Sequence, residues 1–407
     1  MRTPVLPARL ARAATTTRGL AGRGVSRVGV PLVTTFLAFL AGGLAILVTG
    51  NDPFATYKAI FDGSGLSWLF PWTGGDTREI AASSLQQTLI AAAPLALLGL
   101  AVAVAYRAGL FNIGGQGQYL ASSSMAIWVG SSFHGMPALP HVVITVLAGV
   151  AIGALWAGIA GALHATSGAN EVITTIMLNW VAIWIGSYLF GLGGPLQNTE
   201  DRSLPVSPEV AQSARLPVFW GDPELQGLHI GFFLAILGLV VYWVLIARSR
   251  AGYEIRAVGL NPEAARTAGI SPGRVTVKAM LICGAFAGLA GAIDVLGWEY
   301  RISTTDITVS QIGFLGIAVA LLGRGSAVGI GIAALLFGAL TTGASQRNLD
   351  PEIFDPALGT NLTLIIQGII VLVASADIVL GGAVRSLAAR SFGRLRTLVA
   401  RRREASA

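Results

Sequence analysis

Arg248–Pro272 reads R-S-R-A-G-Y-E-I-R-A-V-G-L-N-P-E-A-A-R-T-A-G-I-S-P, a polar and basic island between two long apolar runs. It contains the outline of a short, capped helix. Asn261 has the side chain of an N-cap, and Pro262 suits the first helical position, where its missing N–H would have no partner. Glu263 sets a negative charge against the positive helix end. Ala264, Ala265, Arg266 and Ala268 tolerate a helix. Gly269 can take the left-handed conformation that stops it, and Pro272 prevents it resuming in register. A loop that only joined two apolar runs would not need this. The stretch reads as a lever, moved by a partner in the aqueous phase.

The rest of the chain supplies the body that such a lever would move. It has 407 residues, 54% hydrophobic and 12% charged, with mean hydropathy +0.70. Soluble domains carry about 25% charged residues. The 52 glycines suit membrane helices that pack closely. These numbers predict an all-α, polytopic membrane protein, so the net charge of +7 does not call for nucleic acid. The single cysteine, Cys283, excludes an intramolecular disulfide, and its apolar neighbours predict a packed thiol. The four histidines show no metal-ligand spacing, and no residue pattern calls for a cofactor.

About ten spans fit the apolar runs: 31–48, 84–106, 108–132, 141–163, 171–190, 228–247, 275–296, 309–322, 327–343 and 362–380. They form one membrane domain over 31–384, with the lever loop at 248–274 and basic tails at 1–30 and 385–407. Trp68 and Trp72, in the loop before the second span, are candidate interfacial anchors. A long loop over 193–227 holds five prolines. Charge tests the count. With the N-terminus inside, the cytoplasmic segments carry 21 of the 27 Lys and Arg residues; only Lys58, Arg78, Arg202, Arg215, Arg301 and Arg347 fall outside. That bias places the lever and both termini in the cytoplasm. The outer loops are acidic, a surface for a basic partner.

Five spans in each half would reverse orientation between halves, which makes an inverted repeat a candidate architecture. Gly-rich turns at Gly109–Gly117 and Gly313–Gly325 fall in roughly matching places. The pairs Gly149/Gly153, Gly284/Gly288 and Gly325/Gly329 read as helix contacts. Neither of the two lysines, Lys58 and Lys278, follows a glycine, so a G-K-[ST] phosphate loop is absent. The Gly114-Gly115-x-Gly117 cluster lacks the strand–turn–helix setting of a dinucleotide site.

Four stretches together carry a resemblance: A-G-L-F-N-I-G-G-Q-G-Q (108–118), A-N-E-V-I-T-T-I-M-L-N (169–179), Y-E-I-R-A-V-G-L-N-P-E-A-A-R-T-A-G-I (253–270) and G-F-L-G-I-A-V-A-L-L-G-R-G-S (313–326). The chain resembles the permease subunits of ABC importers of the branched-chain amino acid/ribose-type superfamily, over residues 85–380. The second stretch is similar to the subgroup that imports nucleosides and simple sugars. The resemblance implies a coupling helix seated on a separate ATP-binding subunit, a second permease subunit that is a different chain, and an extracytoplasmic solute-binding lipoprotein. Gly259, Asn261, Ala264, Ala265, Gly269 and Ile270 match the coupling pattern; Glu263 and Arg266 complete the candidate set. It implies a non-catalytic subunit that takes a nucleoside first, a simple sugar second, and branched-chain amino acids third.

For the translocation path the candidates are Asn112, Gln116, Gln118, Glu171 and Asn179. Asn112, Gln116 and Tyr119 lie three or four apart and would share one helix face. Neutral amides can meet sugar hydroxyls or base edges; they can equally hold helices together. Glu171, after Asn170, reads either as a gate residue or as the first-turn acid of a capped helix. A contrasting class is an ion-coupled secondary transporter using Glu171, Asp294 and Asp377. For Asp294 and Asp377, solvation at span ends is the simpler expectation.

Overall fold

The computed structural model describes residues 52–133, 135–223 and 226–345, with short helical pieces between 36 and 50 and between 364 and 372. The chain divides into two compact units, residues 54–363 and residues 1–53 with 364–407. Much of the first and last expected spans, both basic tails, Glu224, Arg347, Asp350, Glu352, Asp355 and Asp377 lie outside the described residues.

In chain order the helices are α1 (Pro53–Gly63), α2 (Asp76–Arg107), α3 (Gly115–Ser132), α4 (Ala138–Ser167), α5 (Glu171–Phe190), α6 (Gly231–Arg248), α7 (Arg250–Leu260), α8 (Pro262–Thr267), α9 (Pro272–Asp294), α10 (Thr304–Val309), α11 (Ile312–Leu322) and α12 (Ala327–Gly343). A two-stranded antiparallel hairpin pairs β1 (Val218–Trp220), in the long proline-bearing loop, with β2 (Leu228–His229), so the span expected from 228 becomes helical only at Gly231. A π turn, Val295–Glu299, extends α9. Among the described residues, six helical segments are long and apolar enough to cross a membrane. The helix Gly115–Ser132 is not one of them; it carries Gln116, Gln118 and five serines and packs among α4, α5, α9 and α11.

Several boundaries differ from expectation. The span expected from Ser84 begins at Asp76, so α2 runs 32 residues, about 48 Å. Pro94 lies inside it without ending it. The lever is two helices rather than one. The span expected over 309–322 is broken at Ser310–Gln311 into α10 and α11, with α10 opened by a Ser303/Asp306 capping box. Glu171–Phe190 and Ala327–Gly343 fall where the sequence placed them.

The packing order repeats. The long helices α2 and α9 lie against each other at the centre; α3 and α4 pack on α9, while α11 and α12 pack on α2. Each half thus wraps the long helix of the other, and the starts of α3 and α11 touch.

The tightest seam joins α4 to α9. A Cβ on Gly153 would stand 2.6 Å from both Gly284 O and Gly288 Cα, and one on Gly288 would stand 2.7 Å from Gly149 O. The two glycine pairs therefore face each other, backbone on backbone. Lipid gives no hydrophobic drive between helices, so such close contact supplies the adhesion. Gly325/Gly329 is different. Gly325 sits in the α11–α12 turn with φ +60°, and Gly329 backs onto Gly323, so this pair shapes a turn and joins no two helices.

The two ends of the unit agree with the charge count. One end gathers segments assigned to the cytoplasm: the Arg107 guanidinium donates to Gly325 O (3.0 Å), and Gly109 lies against Gly259. The other gathers segments assigned outside. Ser207 N donates to Ile302 O, Val210 N to Tyr300 O, Ala211 N to Gly130 O and Leu216 N to Leu296 O. Trp68 packs against Trp220 there, ring centres 5.4 Å apart and planes tilted by 55°.

Gly153→Ile would force the α4–α9 seam apart. We expect a loss of about 1–3 kcal/mol, read as a lowered unfolding midpoint in detergent; an unchanged midpoint would mean the seam is not close-packed.

Candidate functional site

The lever folds as its sequence dictates. Asn261 Oδ1 accepts from Glu263 N and Ala264 N, both at 3.0 Å, and Pro262 takes the first helical position. At the far end Gly269 N donates to Arg266 O and Ile270 N to Ala265 O, with Gly269 at φ +79°. That is the paired-bond stop that an αL glycine permits. Before it, Ser249 caps α7 by accepting from Gly252 N at 2.9 Å.

In α8 the exposed face is small or charged: Glu263, Ala264, Arg266 and Thr267. Ala265 is buried, 4% exposed, turned toward α7 and α9. Of the two alanines in the candidate coupling set, only Ala264 is exposed. Glu263 and Arg266 approach at 3.7 Å on the exposed surface, a pairing worth little. Two residues of α7 not singled out by sequence are exposed: Leu260, 88%, and Tyr253, 58%. An apolar residue at a helix end reads as core in sequence; only its position in the fold exposes it.

Glu254, on α7, faces α9. Lys278 Nζ donates to its carboxylate at 2.9 Å and Arg250 Nε at 3.2 Å. The Lys278 hydrogen bond foremost, and Arg250 with it, hold this carboxyl below the usual carboxylate range.

The five path candidates gather along one segment, Leu110–Gln118. Asn112 is not on a helix face with Gln116 and Tyr119, because α3 begins only at Gly115; Asn112 lies in the non-helical lead-in. Its side chain accepts from Gly114 N (2.8 Å), exchanges hydrogen bonds with the Gln118 amide (3.1 and 3.2 Å) and donates to Cys283 Sγ on α9 (2.7 Å). Asn179 of α5 accepts from Gly117 N (2.8 Å) and donates to Ile113 O (3.0 Å). Gln116 Oε1 accepts from Gly313 N at the start of α11 (2.8 Å). All four amides are buried. In this conformation they join helices, and only Gln116 Nε2 is without a partner among the buried side-chain atoms of this segment.

Glu171 follows the Asn170 cap, which accepts from Val172 N and Ile173 N. Its carboxylate accepts from Phe111 N (3.4 Å) and lies 3.3 Å from His164 Nδ1. It is thus both first-turn acid and a clasp on the lead-in segment. Asp294 does not match the expectation of interfacial solvation. It is 8% exposed and accepts a hydrogen bond from the Tyr119 hydroxyl, within the core where α3 meets α9. Cys283 is fully buried, as its neighbours predicted. Among the described residues no group of three or more His, Cys, Asp or Glu side chains could hold a metal ion.

Long buried central helices, a non-helical segment held inside them by amides, and a capped helix pair outside define a multi-pass membrane transport protein. Comparison with known proteins makes this specific. The chain belongs to the family described as branched-chain amino acid transport system / permease component, whose family model matches residues 84–375. It is 36% identical to the guanosine ABC transporter permease protein NupP of Bacillus subtilis over 342 residues, 84% of this chain and 92% of that one. It is 36% identical to the nucleoside ABC transporter permease protein NupB of Lactococcus lactis, over 80% of this chain and 87% of that one. The glucose ABC transporter permease protein TsgB13 of Haloferax volcanii is 34% identical, over 78% and 80% respectively. No solved structure matches the chain.

Asn112→Ala would strand Gly114 N and the Gln118 amide in the core, at about 1–3 kcal/mol for each unpaired group. The expected result is a clear drop in unfolding midpoint, with Cys283 becoming reactive to thiol reagents at a lower denaturant concentration. Wild-type stability and wild-type protection of Cys283 would remove the clamp assigned to Asn112.

Proposed function

We propose that this chain is a permease subunit of an ABC importer that carries a nucleoside into the cell, with simple sugars as the second solute class. Both termini lie in the cytoplasm. ATP hydrolysis belongs to a separate ATPase subunit, a second and different permease chain completes the pore, and an extracytoplasmic binding lipoprotein delivers the solute. The chain itself is non-catalytic.

The observation that carries this reading is the α7–α8 pair. It is a rigid, doubly capped projection whose outward residues are small, charged or, at Leu260 and Tyr253, apolar and unburied. Small residues let a helix approach a groove closely, and the exposed Tyr253 is of a residue type enriched at interfaces. Gly259 and Gly269 bound the moving part. Asn261, Glu263, Ala264, Arg266 and Ile270 shape its surface and ends, and Ala265 holds it to the body. The solute assignment rests on the relatives named for guanosine and nucleosides, ahead of the one named for glucose. Buried amides at Asn112, Gln116, Gln118 and Asn179, with Glu171 at the edge, supply groups that could meet base edges or hydroxyls once α3 and α11 part.

Uptake of labelled guanosine into proteoliposomes holding both permeases and the ATPase tests the proposal. Uptake should require ATP. Ala264→Trp should lower it at least tenfold while membrane insertion stays normal. Uptake driven by a proton gradient or membrane potential without the ATPase would overturn the reading in favour of an ion-coupled transporter.

A further inference from the structure

The end of α7 rests directly on the turn between α2 and α3. A Cβ on Gly259 would collide with the carbonyl oxygen of Arg107 and stand 2.9 Å from Ala108 C and Gly109 N. On the other side, a Cβ on Gly109 would stand 3.2 Å from Gly259 Cα. Two backbones touch here with no side chain between them. Side chains can yield by changing rotamer; backbone in close contact transmits displacement.

Beyond Gly109 the chain runs through Leu110–Gly114 without helix and is pinned at successive residues. Phe111 N is held by Glu171, Asn112 by Gln118 and Cys283, and Ile113 O by Asn179. The segment therefore grips α5 and α9. It ends at α3, where Gln116 meets the other half. Gly313 N donates to Gln116 Oε1, and a Cβ on Gly313 would collide with the Gln116 backbone. Contacts thus run without a gap from the lever to the meeting point of the two broken helices.

A second backbone contact ties the lever to α6, where a Cβ on Gly252 would collide with Leu245 O and stand 2.8 Å from Ile246 Cα. The routes to α9 are softer. The Glu254–Lys278 tie is a surface ion pair, and such pairs contribute little stiffness. The covalent route to α9 passes through Gly269 and Ser271 outside any helix, a joint that can flex.

We propose that Gly259 is a positioning residue: it hands the lever's movement to the 108–114 segment, and the Gln116–Gly313 contact is where the two halves separate. The inference rests on the ABC reading. A contiguous chain of contacts identifies where coupling can pass; exchange measurements on the assembled transporter test whether it does.

Backbone amide exchange would be measured on the assembled transporter with its ATPase subunit, nucleotide-free and held with a non-hydrolysable ATP analogue. Exchange over residues 110–117 and 312–316 should change several-fold with nucleotide, while the interior of α12 should not. Gly259→Ala should import several-fold fewer solutes per ATP hydrolysed and lose the nucleotide response over 110–117, with ATPase binding followed by co-purification. Gly273→Ala, whose added methyl would meet Ala165 at an ordinary 3.5 Å, should change neither. The inference is overturned if wild-type exchange over 110–117 ignores nucleotide, which needs no variant at all. It is also overturned if Gly259→Ala imports at the wild-type ratio, or if that variant releases the ATPase, which would make Gly259 a docking residue. Failure of the wild-type chain to bind any ATPase would instead sink the ABC reading, and co-purification separates the two.

Discussion

Close approach of backbone to backbone at glycine is the constraint on which this structure depends. Within a bilayer the lipid tails are as apolar as the helices, so association comes from contact and from hydrogen bonds. The α4–α9 seam at Gly149, Gly153, Gly284 and Gly288 brings one half against the long helix of the other. The meeting of Gly313 with Gln116 and of Gly259 with Arg107 uses the same device in shorter form. Such seams are stiff across the contact and leave room for whole blocks to shift, a combination suited to a protein that must change access without unfolding.

The second constraint follows from the first. Bringing a non-helical segment, 110–114, into the core exposes backbone groups that lipid cannot satisfy. The amides of Asn112 and Asn179 answer that need, accepting from Gly114 N and Gly117 N and donating to Ile113 O, while the Gln118 amide holds the Asn112 side chain. Their burial is therefore a structural requirement, whatever they also do for a solute. Gln116 differs in having a free Nε2 between the starts of α3 and α11.

What could be read from sequence was local. The caps of the lever, from Asn261 to Gly269, depend on neighbours within four residues, and every one is present. The limits of α5 and α12 were legible because caps bound apolar runs of ordinary length. Charge asymmetry sorted the loops to two ends, and the contacts at Arg107–Gly325 and Val206–Ser303 agree with it. What was not legible depended on distant partners. The shared face assigned to Asn112 and Gln116 assumed a helix that starts later. Asp294 looked like a span-end acid because Tyr119, 175 positions away, is invisible to local reading. The burial of Ala265 and the exposure of Leu260 depend on how α7 and α8 pack on the body. The break at Ser310–Gln311 carried no proline to announce it. Family resemblance filled part of this gap by proposing candidate coupling residues, but it did not say which face each one presents.

The central claim is that movement generated by another polypeptide enters this protein at α8, on the cytoplasmic side. Ala264→Cys makes that measurable, because Cys283 is the only other cysteine and is buried. A membrane-impermeant maleimide should label Ala264→Cys in inside-out vesicles stripped of the ATPase, and rebinding the ATPase subunit should block the reaction. Labelling from outside intact cells, or labelling indifferent to the ATPase, would contradict the account.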